Sequence, residues 1–243
     1  MKDFDTLSGS FHRNLVFYIQ NTGKMISQAA NKTMKKTFEK CKWEELTILF
    51  GLERLEDSQM ALEALVNTEI ELTEYQTHEL KRLNKLIIKH FLDWNEDELK
   101  MQFISPLLHI VNYHDSEKYQ PFSQRSMQMH QEEKEIELSG VVEWLLASGK
   151  QIPREPFFFL HEYKKEQGTD SDPLGQVLAA MLTAQHLNKD KNRVLYGCYI
   201  MGKDWYFMAL DGKQYQSTLA YNVTEYDKLV KVFSILTHLK DLV

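Results

Sequence analysis

The 243-residue chain predicts an α/β fold: a mixed central β-sheet flanked by helices and preceded by an all-helical N-terminal region. Three observations carry that expectation. From residue 95 onward, helical periodicity and short apolar runs follow in the order helix, strand, strand, strand, helix, strand, strand, helix, which suits a mixed sheet with helices packed against it. Two of the runs, VVEWLLA (141–147) and PFFFLHEYK (156–164), are nearly continuous in apolar residues over strand length, as buried central strands are. Residues 1–94 contain no proline and no sustained period-two alternation, so they read as helices. The expected division is a helical region over 1–94 and a second domain over 95–243.

In chain order, FHRNLVFYIQ (11–20) is apolar enough for a packed helix, and WEELTILFGLERL (43–55) repeats apolar residues at mixed spacings of three and four. Thr73 and Gln76 form a capping box, after which Leu80, Leu83, Ile87, Ile88 and Phe91 make one apolar stripe. Asn95 caps a helix that is acidic in its first turn, as the helix dipole prefers, and that buries Leu99, Phe103, Leu107 and Ile110. Pro106 removes a backbone donor and should kink or restart that helix. Residues 121–140 read as a half-buried strand with Met127 and Met129 inward, a charged turn, and entry into the central strands. Gly140 there marks a bulge or a close backbone approach. Asp172 as N-cap and Pro173 at the first helical position start a helix buried through Leu174, Val177, Leu178, Met181 and Leu182. RVLYGCYIM (193–201) and WYFMALDG (205–212), joined through Gly202 and Lys203, predict a hairpin, and a last helix over about 224–240 packs through Leu229, Phe233 and Leu236. If strand 156–164 and strand 193–201 are parallel, the helix between them is a right-handed crossover.

Composition narrows the function classes. The net charge of -6 argues against strong, indiscriminate attraction to a polyanion. The charge is uneven: residues 1–50 carry eight Lys or Arg against five acids, and 51–98 carry five against twelve. The basic cluster KTMKKTFEKCK (32–42) offers Lys35 and Lys36 as nucleic-acid contacts, with a solvated helix face as the plainer account. Cys41 and Cys198 form no CxxC pair, so buried thiols are expected and neither a zinc site nor a disulfide framework is suggested. The histidines show no paired metal spacing. No apolar run approaches the ~20 residues that span a bilayer, and MKDFDTLSGS is not a secretory start, so no membrane association and a cytoplasmic location are expected.

The informative anomaly lies in the two central strands, each of which contains an acid. Glu143 interrupts the first, and Glu162 stands near the end of the second, two residues before Lys164 and so on the same strand face as that lysine. Carboxylates are costly to bury unless paired or bound to a metal. Lys164 could serve as the partner in a strand-end ion pair. A hard divalent cation such as Mg2+ would instead compensate both acids at once.

In this order, the residues resemble the PD-(D/E)xK nuclease superfamily, the restriction-endonuclease-like fold of many restriction endonucleases and Holliday-junction resolvases. The match covers roughly residues 95–220. Glu98 in NEDELKMQFISPLL looks like the acid on the family's first core helix, and Glu143 in GVVEWLLA is similar to the metal-binding acid of its G-x-x-D strand. Glu162, Tyr163 and Lys164 look like its E-x-K, and Gln176 resembles a glutamine seen on the next helix in some branches. Two departures stand out: the motif's proline is absent, and Glu143 replaces the usual Asp. The resemblance implies Mg2+-dependent hydrolysis of phosphodiester bonds in nucleic acid, DNA before RNA, with Mn2+ as a substitute ion. Glu143, Glu162 and the backbone carbonyl of Tyr163 would then hold the metal, Glu98 would serve a second ion directly or through water, and Lys164 and Gln176 would act on water or phosphate. A duplex cutter needs two suitably placed sites, which a homodimer would supply. The alternative expectation is a non-catalytic member of the same fold that assembles with a protein partner through the helical N-terminal region.

Overall fold

The computed structural model describes residues 33–56, 60–114, 117–163 and 172–242, with backbone alone at 60, 157 and 161–163. The helix expected over 11–20 and the position of Lys164 lie outside the described residues. The strands are β1 (Met34–Thr37), β2 (Glu53–Arg54), β3 (Gln120–Gln131), β4 (Ile136–Ala147), β5 (Pro156–Tyr163), β6 (Leu195–Met201), β7 (Asp204–Asp211), β8 (Gln214–Ser217) and β9 (Tyr221–Asn222). They form a mixed sheet in the order β1-β4-β5-β6-β7-β8-β2, with β3 also paired to β4 and β9 to β7. The helices are α1 (Trp43–Phe50), α2 (Met60–Val66), α3 (Glu74–His90), α4 (Glu96–Leu99), α5 (Ser105–Val111), α6 (Pro173–Leu187) and α7 (Tyr226–Leu242).

The chain divides into two compact units. The described part of the smaller one comprises residues 33–35 and 130–137. It is a turn over Glu132–Lys134 followed by Glu135 in the left-handed region, with Met34 N–H donating to the Glu135 carbonyl and Lys35 paired to Glu137 at 3.0 Å. The larger unit holds Lys36–Met129 and Leu138–Val243, so residues on both sides of position 94 belong to it.

In the larger unit, β4 and β5 pair antiparallel with Trp144 opposite Leu160, and β5 and β6 pair parallel with Glu162 opposite Ile200 and Tyr163 opposite Met201. The chain connects those parallel strands through α6, the expected crossover. Burial explains why it is a helix apolar all round. Every residue from Leu174 to Ala184 is buried, between β5 and β6 on one side and α1 with the turn Phe38–Lys40 on the other. The fit is close at Gly197, where a Cβ would stand 2.6 Å from the Val177 Cγ1. The opposite sheet face supplies Trp144, Leu146, Phe158, Leu160, Cys198 and Ile200 to a core completed by Leu80, Leu83 and Ile87 of α3, Phe103 and Leu107, and Leu229, Phe233 and Leu236 of α7.

The helix beginning at Glu96 shows how the chain accommodates Pro106. Between α4 and α5 lies a π-helical turn, Lys100–Ile104, closed by Ser105 N–H donating to the Lys100 carbonyl. Widening the turn at the residue before proline removes the demand for the donor that Pro106 lacks. The expected restart is therefore a π turn within a continuous helical path.

Four expectations need correction. The described part of 1–94 is not all helical, because residues 34–37 and 53–54 are strands. The cluster over 32–42 is consequently no helix face: its described part is β1 and a 3-10 turn with Phe38 and Cys41 buried. The helix from Trp43 stops at Phe50 because Gly51 takes a left-handed conformation (φ 62°) and its N–H closes back on Ile48 and Thr47. Finally, Ile88 is half exposed, and Asn84 takes the buried place on the α3 stripe, its amide donating to the carbonyls of Val223 and Thr224.

Candidate active site

Glu143 sits on β4 beside Trp144, and its side chain is 19% exposed while its Oε2 is fully enclosed. An enclosed carboxylate oxygen calls for a positive partner. Lys100 supplies one: its Nζ lies 3.3 Å from Glu143 Oε2, and its side chain is 30% exposed. Lys100 is the first residue of the π turn, so the irregularity imposed ahead of Pro106 falls where the helix reaches the acid on the strand. Glu143 thereby faces the helical layer of α4, the π turn and α5, whose Leu99, Phe103 and Leu107 share a core with Leu146, Phe158 and Leu160. π turns of this kind recur at functional sites.

Glu98 lies two residues earlier and is exposed. It completes a capping box: Asn95 N–H donates to Glu98 Oε2 at 2.8 Å, and Glu98 N–H donates to Asn95 Oδ1 at 3.0 Å. Gln176 is 6% exposed on the first turn of α6, and its Nε2 donates to the Glu39 carbonyl at 3.3 Å. That turn is anchored by Asp172, which accepts from Gly175 N–H at 3.0 Å and from Trp43 N–H at 2.7 Å, so one carboxylate caps α6 and α1 together. Gly175 makes this possible, because a Cβ there would stand 2.5 Å from the Cys41 carbonyl oxygen.

Glu162 and Tyr163 are the last residues of β5, in backbone register with Ile200 and Met201. Their side chains lie outside the described residues, as does Lys164 entirely. Of the expected set, the structure therefore brings the strand bearing Glu143 next to the strand ending at Glu162 and Tyr163, while Glu98 and Gln176 each hold a hydrogen bond in the scaffold. Lys35 pairs with Glu137, and Lys36 pairs with Glu45.

Lys100 was not anticipated from the sequence. It falls off the Leu99, Phe103, Leu107 stripe, and only the fold brings its long side chain to the strand bearing Glu143. Among the described residues, no group of three or more His, Cys, Asp or Glu is gathered closely enough to hold a metal ion, and no helix is long and apolar enough to cross a membrane. Both thiols are buried, and burial pushes the Cys41 thiol up to about 11. No family model matches the chain, and no curated protein matches it in sequence.

Proposed function

We propose that the chain is a Mg2+-dependent endonuclease of the PD-(D/E)xK kind that hydrolyses phosphodiester bonds of DNA. The observation that supports this best is the setting of Glu143. It holds an enclosed carboxylate oxygen on an apolar central strand, next to a strand that ends at Glu162 and Tyr163 and runs parallel to its other neighbour through the helix bearing Gln176.

The donor chemistry fits a hard cation. Mg2+ takes one or two carboxylates with water and substrate phosphate, and the enclosed Glu143 oxygen already draws a positive charge to it. In this reading Glu143, Glu162 and the Tyr163 carbonyl would hold the ion, and Glu98 would serve a second one directly or through water. When bound, the metal supplies polarisation of the phosphoryl oxygen and a more acidic water. Lys164 orients the attacking water or offsets the negative charge developing on phosphorus-bound oxygen. Lys100 holds Glu143 in place and balances its charge until the ion arrives, and Gln176 orients water or phosphate. Mn2+ would substitute, and a homodimer would let both strands of a duplex be cut.

A second reading has its own support: Glu98 serves a helix cap and Gln176 a scaffold carbonyl. It takes the chain as a non-catalytic protein of the same fold that assembles with a partner through residues 1–94.

The test is cleavage of plasmid, single-stranded and branched DNA and of RNA with Mg2+ or Mn2+, comparing the natural chain with Glu162→Ala and Lys164→Ala. Circular dichroism checks that the variants fold. Metal-dependent cutting abolished in both variants supports the nuclease. Absence of cutting on every substrate, together with no calorimetric metal binding, overturns it in favour of the assembly protein.

A further inference from the structure

A cavity of about 320 Å³ lies where β4 turns into β5, with Glu143 outside its lining. Its apolar lining comes from Met127, Leu145, Pro153, Pro156 and Leu187, and its polar lining from Arg125, Arg154, Gln128, Gln151 and Ser126. Two cations and no acid line it, in a chain whose net charge is -6. Glu155, on the same turn, pairs with Lys189 at 3.7 Å.

The walls are built before any ligand arrives. Ser148 N–H donates to the Glu155 carbonyl at 3.0 Å, Arg154 N–H to the Ser148 carbonyl at 2.9 Å, and Glu155 N–H to Ser148 Oγ at 3.2 Å. The turn closes so tightly that Gly149, at φ 107°, could not carry a Cβ, which would stand 2.3 Å from the Ile152 carbonyl oxygen. On the facing strand, Gln124 adopts φ 51°, a left-handed conformation unusual for a residue other than glycine. The break in alternation there lets Arg125 lie over the Phe122 ring at 5.6 Å, with Nη1 donating to the Ser123 carbonyl at 3.0 Å. That bond employs one of the five guanidinium donors. Local strain of this sort gathers at ligand sites. Ile152, 73% exposed, stands at the rim.

We propose that this cavity binds a nucleotide, with its phosphate on Arg125 and Arg154 and its base against the apolar lining. Arginine forks match the geometry of phosphate oxygens. The apolar lining suits a flat ring, and the amides of Gln128 and Gln151 present both donors and acceptors to a base edge. The volume lies at the low end of the ~300–1,000 Å³ typical of small-ligand sites, which suits one nucleotide and not two. The site does not depend on the nuclease reading. The same chemistry is offered by a free mononucleotide and by the phosphorylated end of a strand.

Calorimetric titration of the full chain with AMP, GMP, CMP and UMP, with adenosine and inorganic phosphate alone, and with a 5′-phosphorylated oligoadenylate tests it. At least one monophosphate should saturate the protein and bind ~10-fold or more tighter than its nucleoside or than phosphate, because both halves of the ligand are engaged. Arg154→Ala and Arg125→Met should each weaken binding by about 10-fold or more, as the loss of a charge-assisted hydrogen bond does. Competition between AMP and the oligonucleotide would identify a strand end as the source, and binding of AMP alone a free nucleotide. Glu162→Ala should bind as the natural chain does, whether or not the chain cuts DNA. The inference is overturned if no nucleotide binds, if phosphate alone binds as tightly as AMP, or if both folded arginine variants bind undiminished.

Discussion

Replacing Lys100 by methionine tests whether the Glu143 site is held by charge. The change keeps most of the stem and removes the ammonium 3.3 Å from Glu143 Oε2. Breaking a fully buried ion pair costs about 3–5 kcal/mol, and an exposed pair is worth about 0–1 kcal/mol. With side chains 19% and 30% exposed, this pair lies between those limits. The expected loss is about 1.5–2.5 kcal/mol, most of it from leaving the Glu143 carboxylate enclosed beside an apolar group. For a chain of this length that is roughly 3–10 °C in Tm. Glu143→Gln should cost less, about 1 kcal/mol, because the more exposed lysine can swing its ammonium to water. Both residues hold further interactions, so the double variant is needed to isolate the pair. Urea denaturation of the four proteins should give a coupling of about 1 kcal/mol or more. A coupling below about 0.3 kcal/mol, or Lys100→Met melting with the natural chain, would refute the view that charge holds the site.

Asp172→Ala removes the acceptor of both Trp43 N–H and Gly175 N–H. At ~1 kcal/mol per lost cap the loss should be about 2 kcal/mol in denaturant titration, and Asp172→Asn should recover at most about half of it, because the amide keeps one acceptor oxygen where the carboxylate uses both. Gly140→Ala should destabilise by about 1–3 kcal/mol, because a Cβ would stand 2.3 Å from Phe38 Cδ2 inside the core. In a Phe38→Ala background the cost should fall without vanishing, because the Cβ at position 38 would still stand 2.8 Å away, and a full additive cost would show that the clash is elsewhere. The Cys41 thiol, raised by burial to about 11, should alkylate slowly at pH 8 and faster as pH climbs, since the thiolate is the reactive form. Its rate should be roughly 100-fold below that of an ordinary thiol in native protein, and unfolding should abolish the difference.

The sequence carried the fold best where local chemistry and tertiary need coincide. The boxes Thr73 with Gln76 and Asn95 with Glu98, the Asp172 and Pro173 start, and the apolar runs that become β4, β5, β6 and β7 all signal through residues close together in the chain. It carried least where pairing with a distant strand decides the backbone. MKKT over 34–37 has no strand signature, and its pairing in the sheet makes it β1. Glu53 and Arg54 form a strand only because Gln214 and Tyr215 lie parallel to them. The candidate site divides in the same way. An acid inside each apolar strand was visible at Glu143 and Glu162, whereas the partner of Glu143 comes from Lys100, across more than forty residues of chain, and no spacing rule announces it.

Local charge, rather than the total, governs how this chain can meet a polyanion. At a net charge of -6 the molecule as a whole repels one. The basic cluster does little to reverse this, because Lys35 and Lys36 lie against Glu137 and Glu45. Arg125 and Arg154 line a cavity without an acid in it. If they supply the phosphate contacts, log K should fall with log salt at a slope of about -2, near -0.9 per neutralised phosphate on duplex DNA and somewhat less on a single strand. A slope steeper than about -5 would require many more cations at the interface. It would place nucleic acid on a broader basic surface than this cavity offers.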